Sequence, residues 1–561
     1  MANYADEPEW RYLLRHGVDW DAVLPLYGFK NREESLEHFE SLLSATGAWA
    51  AGKAAPRARI LDEVGCGRIV DGGFEPSEPL AQAFSEMRDL GLSAVSIDTA
   101  HGGSGLPLTM TMLMFEQLSR ACLGTSTYLA FTSAFADMLE RFASKEISGE
   151  FVPHIASGAL SGSMCLTEPG AGSDLGALRT AARKEKDGTY RLTGTKRFIT
   201  NGGGGLGLVL ARLEGAPAGL MGLSLFFVEL WPGGKGVGKP NYVISKLEDK
   251  MGMRASATCE VIYDDTVARL VGVEGEGFKM MLHLMNEARI AVGIQGLGAM
   301  EAAIAYARNY AAHRVQFGKP ILELPLFARG MADMETERDA FRAFIVDTVS
   351  TFDIYQRLDL KKRRSGDLSE EETHLYKRTL KVVRHRTPLT KYYGTEAGAR
   401  IALKCVQCLG GYGYMKEFEA ERILRDAVGG LLYEGTSQVQ SLMAMKDLMK
   451  EMTKHPGRFM RDLLTDHPLR GALTDSECRK ALKNAHYEFR KNVALLVWRC
   501  SRNVERLMRH AEGICEAQAY LEVLVVLQKH ADRDPGREGL FRRYKALVVP
   551  RLAAVYESWR Q

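Results

Sequence analysis

The hydrophobic period changes twice along the 561 residues, and that alternation restricts the fold more than any single motif. Up to about residue 160 the chain reads as helices. ESLEHFESLLSATGAWAAGKAA (34–55) and PLAQAFSEMRDLG (79–91) place apolar residues three and four apart, and 109–143 continues as Ala- and Met-rich helical segments. HGGSGLP (101–107) interrupts them as a loop. Between about 161 and 273 the period falls to two. Tyr190 and Leu192 alternate with polar neighbours, as do Cys259, Val261 and Tyr263, and Asp187-Gly188 marks a turn between strands. From Gly277 the helical period returns, over 278–314, about 325–358, 370–410, 421–428 and 437–452. KKRRSGDLSEEE (361–372) reads as a solvated inter-helix loop, and 479–531 as a strongly helical tail with a basic face. The expectation is an α+β multidomain chain. Its parts are an N-terminal α-helical domain (1–160), a middle antiparallel β-barrel or sandwich (161–275), an α-helical bundle (276–452) and a helical C-terminal extension (453–561).

Composition narrows the function classes. At 46% hydrophobic and 25% charged, the chain is of ordinary globular make-up and long enough to bury several cores. A net charge of +3 implies no general polyanion partner. Residues 441–561 do hold 23 Lys and Arg against 15 Asp and Glu, which raises nucleic-acid binding and peripheral membrane contact as roles to weigh. Interspersed acids and amphipathic helices speak against nucleic acid. MANYADEPEWRY lacks a basic stretch followed by an apolar core, so no export signal is predicted, and the runs 221–230 and 493–498 are too short to span a bilayer. Nine scattered cysteines suit reduced thiols in a cytoplasmic protein. Cys405 and Cys408 form a C-x-x-C without a second pair, which predicts helix-face packing and no metal site.

Six clusters carry chemistry. MCLTEPGAGSDLG (164–176) lies where helices give way to strands; its glycines let a backbone approach a ligand, and Thr167 and Ser173 add hydroxyls. RFITNGG (197–203) ends a strand. GGGGLG (202–207) matches G-x-G-x-x-G in letters but precedes a strand, so no helix dipole can meet a pyrophosphate. In RVQFGKPI (314–321), Arg314 and Lys319 can grip a diphosphate and Phe317 can stack on a flat ring. QCLGGYGYMKEFEAERILRDA (407–427) opens a glycine loop between helices, and MNEARIAV (285–292) sets Arg289 in an apolar helix, as a structural ion pair or a phosphate ligand. LLYEGTSQVQ (431–440) places Glu434 beside apolar side chains that exclude water and raise a carboxylate pKa. Ser437-x-x-Gln440 reads as a capping box that starts the next helix.

Together, in this order over roughly residues 30–450, the clusters resemble the acyl-CoA dehydrogenase family. CLTEPGAGSD and the run from ERILRDA to YEGT match both its signature regions. The length, the DLGALRT continuation and the helical tail look more like the larger bacterial members, of the methylthiopropanoyl-CoA dehydrogenase type. The resemblance implies FAD between the β domain and the C-terminal helical domain. Met164, Leu166 and Thr167 would contact the isoalloxazine, Phe198 and Thr200 would flank it, and Ser173 would lie by the FAD phosphates or the acyl-CoA. Arg314, Phe317, Gln407 and Gly411 would reach the FAD of a neighbouring subunit, which implies a homodimer or homotetramer, and Thr436 and Gln438 would hold the adenosine. Arg289 would face the CoA, with Asn286 where an aspartate is common, and Tyr433 and Gly435 would line the substrate. Phe198 stands where many members have tryptophan. Glu434 matches the catalytic base; the alternative slot on the long helix is Ala288, and Glu287 is one residue off. The implied reaction is α,β-dehydrogenation of an acyl-CoA in fatty-acid β-oxidation, with electrons passed to electron-transfer flavoprotein. The alternatives are an acyl-CoA oxidase or other flavin oxidase on the same fold, and a flavoprotein whose basic tail binds nucleic acid or membrane.

Overall fold

Secondary structure changes where the period does. The computed structural model describes residues 3–468, 476–500 and 503–560; positions 501 and 502, inside the expected tail helix, lie outside them. Contacts divide the chain into two units. One comprises Met1–Asp6, Leu24–Ala291 and Leu360–Gly366, and the other Glu7–Val23, Val292–Asp359 and Asp367–Gln561. By this division Glu7–Val23 joins the second unit and not the helices that follow it. The reason is ionic and apolar anchoring: Arg342, 1% exposed, meets Glu7 at 3.4 Å and Glu301 at 2.6 Å, while Trp10 and Trp20 are buried.

In the first unit, helices α3 (Arg32–Trp49), α4 (Ala55–Val64), α5 (Glu78–Asp89), α6 (Leu108–Ala121), α7 (Leu123–Phe142) and α8 (Lys145–Ala156) precede the sheet; α1 (Pro8–Tyr12) and most of α2 (Trp20–Leu26) lie before them in the chain. The expected 109–143 helix breaks at Cys122, whose backbone is extended (φ −159°, ψ 106°). A small hairpin, β1 (Gly67–Val70) with β2 (Gly73–Pro76), stands apart from the main sheet. That sheet contains β3 (Ser161–Cys165), β4 (Ala181–Lys184), β5 (Tyr190–Thr200), β6 (Gly205–Leu213), β7 (Leu223–Glu229), β8 (Val243–Leu247) and β9 (Thr258–Val271). It closes into a barrel, because β6 pairs with β7 on one edge and with β3 and β4 on the other, while β9 joins β5 to β7. The pairing is antiparallel except at β3–β6 and β4–β6, which are parallel. Alternation serves both faces: Leu206, Leu208 and Leu210 pack with Phe135 and Phe151 of the helices, and Val209 and Ala211 join the second core with Tyr190, Leu192 and Phe226.

In the second unit, α10 (Pro325–Ser365), α11 (Glu370–Leu409), α12 (Glu419–Gly429) and α13 (Ser437–Lys454) form the bundle with the later part of α9 (Gly277–His313). α9 is long and apolar enough to cross a membrane, yet 83% of its most apolar window is buried, as for a core helix. The expected loop at 361–372 shrinks to Gly366–Ser369. Lys and Arg are good helix formers, so α10 runs to Ser365, and a Ser369–Glu372 capping box starts α11. α9 and α11 approach closely where both carry glycine: a Cβ on Gly296 would lie 2.2 Å from the carbonyl oxygen of Gly394, and one on Gly394 2.6 Å from that of Gly293.

The tail helices are α14 (Pro456–Thr465), α15 (Glu477–Arg499), α16 (Val504–Met508), α17 (Ala511–Arg533) and α18 (Glu538–Ser558), and α17 and α18 share ion pairs with the bundle. Glu337 of α10, 2% exposed, accepts from Arg400 of α11 (2.7 and 2.9 Å), Arg551 of α18 (3.0 and 3.3 Å) and the Tyr393 hydroxyl (3.1 Å). Burial opposes its charge, but the two guanidinium groups outweigh it and hold the carboxyl down at about 2. Glu337→Gln leaves two half-buried cations short of their counter-charge and should cost about 1–3 kcal/mol in denaturant unfolding. A folded-state pKa below the ordinary 4.5 adds stability that is complete above pH 4.5 and lost as the pH falls toward 2. The variant should therefore lose less stability than the wild type on acidification across that window.

Candidate active site

The strand β3 delivers the glycine-rich loop to the end of β5. Lys196, with no exposed surface, donates from Nζ to the Leu166 carbonyl (2.8 Å) and to Glu168 Oε1 (2.9 Å). Glu168 also accepts the N–H of Arg179 (2.7 Å) and of Thr180 (3.0 Å). Burial pulls the Lys196 pKa down while Glu168 opposes the shift; burial likewise pushes Glu168 up, but Lys196 and the hydrogen bonds win and lower it. This buried pair folds residues 166–180 back onto β5. There the Arg197 N–H donates to the Thr167 carbonyl (2.8 Å), beside a ladder irregularity between Lys196 and Ile199.

Phe198 sits in that bulge with φ +61°, a left-handed conformation costly for an aromatic residue, and its side chain is 57% exposed. The Arg197 guanidinium lies 5.1 Å from its ring centroid. A Cβ on Gly170 would meet nothing within 4 Å, and one on Gly172 only Thr167, at 3.7 Å. An exposed ring beside open glycine backbone suits a flat cofactor with a diphosphate. Met164 and Thr200 are half-buried and Ser173 is exposed. Leu166 departs from expectation: its side chain is 7% exposed in the core, so it can meet a flavin through its main chain only. In the same unit Arg289, 3% exposed, donates to Asn286 Oδ1 (3.2 Å); Glu287 is also buried and Ala288 partly open.

In the second unit the turn 431–436 is fastened from three helices. Lys391 of α11 donates to the Leu431 carbonyl (3.2 Å), and the Tyr433 hydroxyl to Gln295 of α9 (2.5 Å). Gln440 of α13, with no exposed surface, donates from Nε2 to the carbonyls of Glu434 (2.9 Å) and Gly435 (3.2 Å). Glu434 and Gly435 are both left-handed, at φ +56° and +89°. Burial, then the Glu434 and Asp426 carboxylates, push the Tyr433 phenol well above its usual range, so it stays a neutral donor.

The expected Ser437–Gln440 capping box is absent. α13 starts one residue earlier, with Thr436 as N-cap accepting the Val439 N–H (3.4 Å). Gln440 is then one place too far along to cap and turns back onto the strained turn, while Ser437 donates to Glu396. Gln438, expected at the adenosine, is exposed and donates to Glu512 of the tail (2.7 Å). Arg314, Phe317, Gln407 and Gly411 all face solvent. Arg314 lies 5.8 Å from the Tyr412 ring of the glycine loop, and Phe317, 92% exposed, tips a two-strand turn at φ +53°. Burial lifts the Cys405 thiol to about 12, which fits the packing role expected of the C-x-x-C helix face.

Lys196, Gln295 and Lys391 carry no sequence signal, and Gln440, expected in a capping box, holds the turn instead. Each is a polar residue inside an otherwise regular element, and only its buried partner reveals its purpose.

Family models of the N-terminal, middle and C-terminal domains of acyl-CoA dehydrogenases match residues 39–159, 163–266 and 275–449. The chain belongs to the acyl-CoA dehydrogenase family. An acyl-CoA dehydrogenase of Bacillus subtilis is 34% identical over 66% of this chain and 89% of its own. A 3-methylmercaptopropionyl-CoA dehydrogenase of Ruegeria pomeroyi is 31% identical over 77% and 73%. An acyl-CoA dehydrogenase from Bacillus anthracis, solved in complex with FAD, shares the fold at a TM-score of 0.77 and 22% identity, covering 98% of this chain and 91% of that one, tail helices included.

Gln440→Leu removes both donors from the turn and leaves two carbonyls unmet, at about 1–3 kcal/mol of stability. With FAD content unchanged, kcat for acyl-CoA oxidation should fall more than KM rises. An unaltered kcat would show that the turn holds its shape without the clamp.

Proposed function

We propose that this acyl-CoA dehydrogenase converts an acyl-CoA thioester to the trans-2-enoyl-CoA, with Glu434 taking the α-proton. The supporting observation is the clamped left-handed turn, which fixes the backbone of one carboxylate against three helices. An α C–H is a weak acid, so the base must be held while the thioester carbonyl is polarised. In the family the N–H of this glutamate supplies part of that polarisation, and the pinned Glu434 and Gly435 carbonyls keep it in place. Tyr433, a neutral donor occupied by Gln295, keeps water from the carboxylate without competing as a base.

FAD, when bound, supplies the acceptor for the β-hydrogen as hydride. Met164, Thr167, Phe198 and Thr200, with the Leu166 main chain, would hold its ring system, Ser173 its phosphates, and Thr436 and Gln438 its adenosine. Arg289 and Asn286 would take the CoA, and Gly435 would let the thioester close in. Arg314, Phe317, Gln407 and Gly411 would complete the FAD site of a second subunit; a nearly fully exposed phenylalanine at a strained turn favours such a contact. Electrons would pass to electron-transfer flavoprotein in the cytoplasm.

In Glu434→Gln, FAD should remain bound while bleaching of the flavin by acyl-CoA is lost and turnover falls about 10²–10⁴-fold. Normal turnover in that variant would remove Glu434 from the mechanism. In the wild type, dye-linked turnover should far exceed oxygen uptake; peroxide formed at the rate of substrate oxidation would instead make the protein an oxidase.

A further inference from the structure

Arg197 and Phe198 are neighbours in the β5 bulge, and their side chains meet at the surface of the first unit. The ladder between β5 and β9 breaks after Lys196–Val261 and resumes at Ile199–Cys259, so both residues leave it together. Lys196, just before them, turns into the protein toward Glu168. Arg197 turns outward and stays half-buried.

Its guanidinium is held by two carboxylates from neighbouring segments. Nε donates to Glu248 Oε1 (3.0 Å), just past β8, and lies 3.8 Å from Glu260 Oε2 on β9. Glu248 is fixed in turn. Its N–H donates to the Thr258 carbonyl (2.8 Å), and its Oε2 meets Lys246 Nζ at 3.0 Å. Two cations and two carboxylates balance in this group, so Arg197 contributes a fixed shape more than a net charge.

Phe198 lacks an anchorage of that kind. A phenyl ring has no donor or acceptor, and this residue is 57% exposed on left-handed backbone. An exposed side chain exchanges rotamers rapidly, and each rotamer presents a different surface to a ligand. The Arg197 guanidinium over the ring, 5.1 Å from its centroid, favours one of them. A tryptophan, common at this position in the family, can be fixed through its indole N–H. A phenylalanine needs another handle, and a planar guanidinium can cover a ring while keeping its ion pair.

We propose that Arg197 is a positioning residue for FAD. Gripped by Glu248, it holds the Phe198 ring in the orientation that receives the isoalloxazine. The inference rests on Phe198 flanking the flavin.

The test compares Arg197→Leu, Phe198→Leu and the double variant as FAD-loaded full chains. FAD release is followed by recovery of flavin fluorescence, and the bound flavin by its visible circular dichroism. Release should quicken about two- to fivefold in Arg197→Leu and about tenfold in Phe198→Leu. The double variant should release FAD no faster than Phe198→Leu, because the guanidinium then has no ring to hold. Arg197→Leu should alter the flavin dichroism, and Arg197→Lys, which keeps a cation, should restore most of it. Unchanged thermal melting establishes that each variant is folded. Should Arg197→Leu fail to fold, the nearly isosteric Glu248→Gln carries the test: it slackens the guanidinium and should quicken release in the wild-type background but not beside Phe198→Leu. Faster release in Phe198→Leu with none in Arg197→Leu, or effects that simply add in the double variant, would overturn the proposal and leave the flavin placement standing. Unchanged release in Phe198→Leu would take Phe198 out of the flavin site and overturn both.

Discussion

Everything in the second unit converges on one strained turn. Glu434 and Gly435 occupy left-handed backbone, which an L-residue such as glutamate adopts only when its surroundings insist. Those surroundings are three helices, each contributing one buried polar side chain: Gln295, Lys391 and Gln440. The close α9–α11 approach, permitted by facing glycines, brings the first two to the turn. A carboxylate that must meet a carbon acid in one orientation gains from such over-determination, because a loosely held base loses much of its effect.

The first unit uses the same device with different chemistry. A buried Lys196–Glu168 pair folds the TEPGAGSD loop onto β5 beside a bulge that turns out Phe198. Such pairs add little net stability relative to apolar packing, so their retention fits a positioning role. In both places strain sits at the presumed ligand surface, and buried ionic or amide contacts behind it hold the strain in place.

The tail helices are part of the bundle and not an appendage to it. Arg551 of α18 shares Glu337 with Arg400, Glu522 of α17 receives Arg386 at 2.9 Å, and Gln438, next to the 431–436 turn, reaches Glu512. Tail and bundle thus exchange charge both ways: Arg551 serves a bundle acid, while Glu522 and Glu512 accept from bundle donors.

From residue order alone came the helix–strand–helix layout, the family and the identity of Glu434, Thr167 and Phe198 as candidates. Hydrophobic period and short glycine-rich motifs are local properties, readable without a fold. The loop at 361–372 and the capping box at 437–440 were misjudged because one-residue shifts in helix ends depend on competing caps and on tertiary partners. Leu166 looked like a flavin contact because its neighbours do, but just past β3 its side chain packs into the core and its carbonyl accepts from Lys196. The parallel pairings of β6 and the contacts that Lys196, Gln295 and Lys391 make join residues far apart in sequence. Sequence determined the family and which side chains are candidates for the chemistry; only the tertiary structure decided what holds them, because a buried hydrogen bond or ion pair depends on distance in space and leaves no period in the chain.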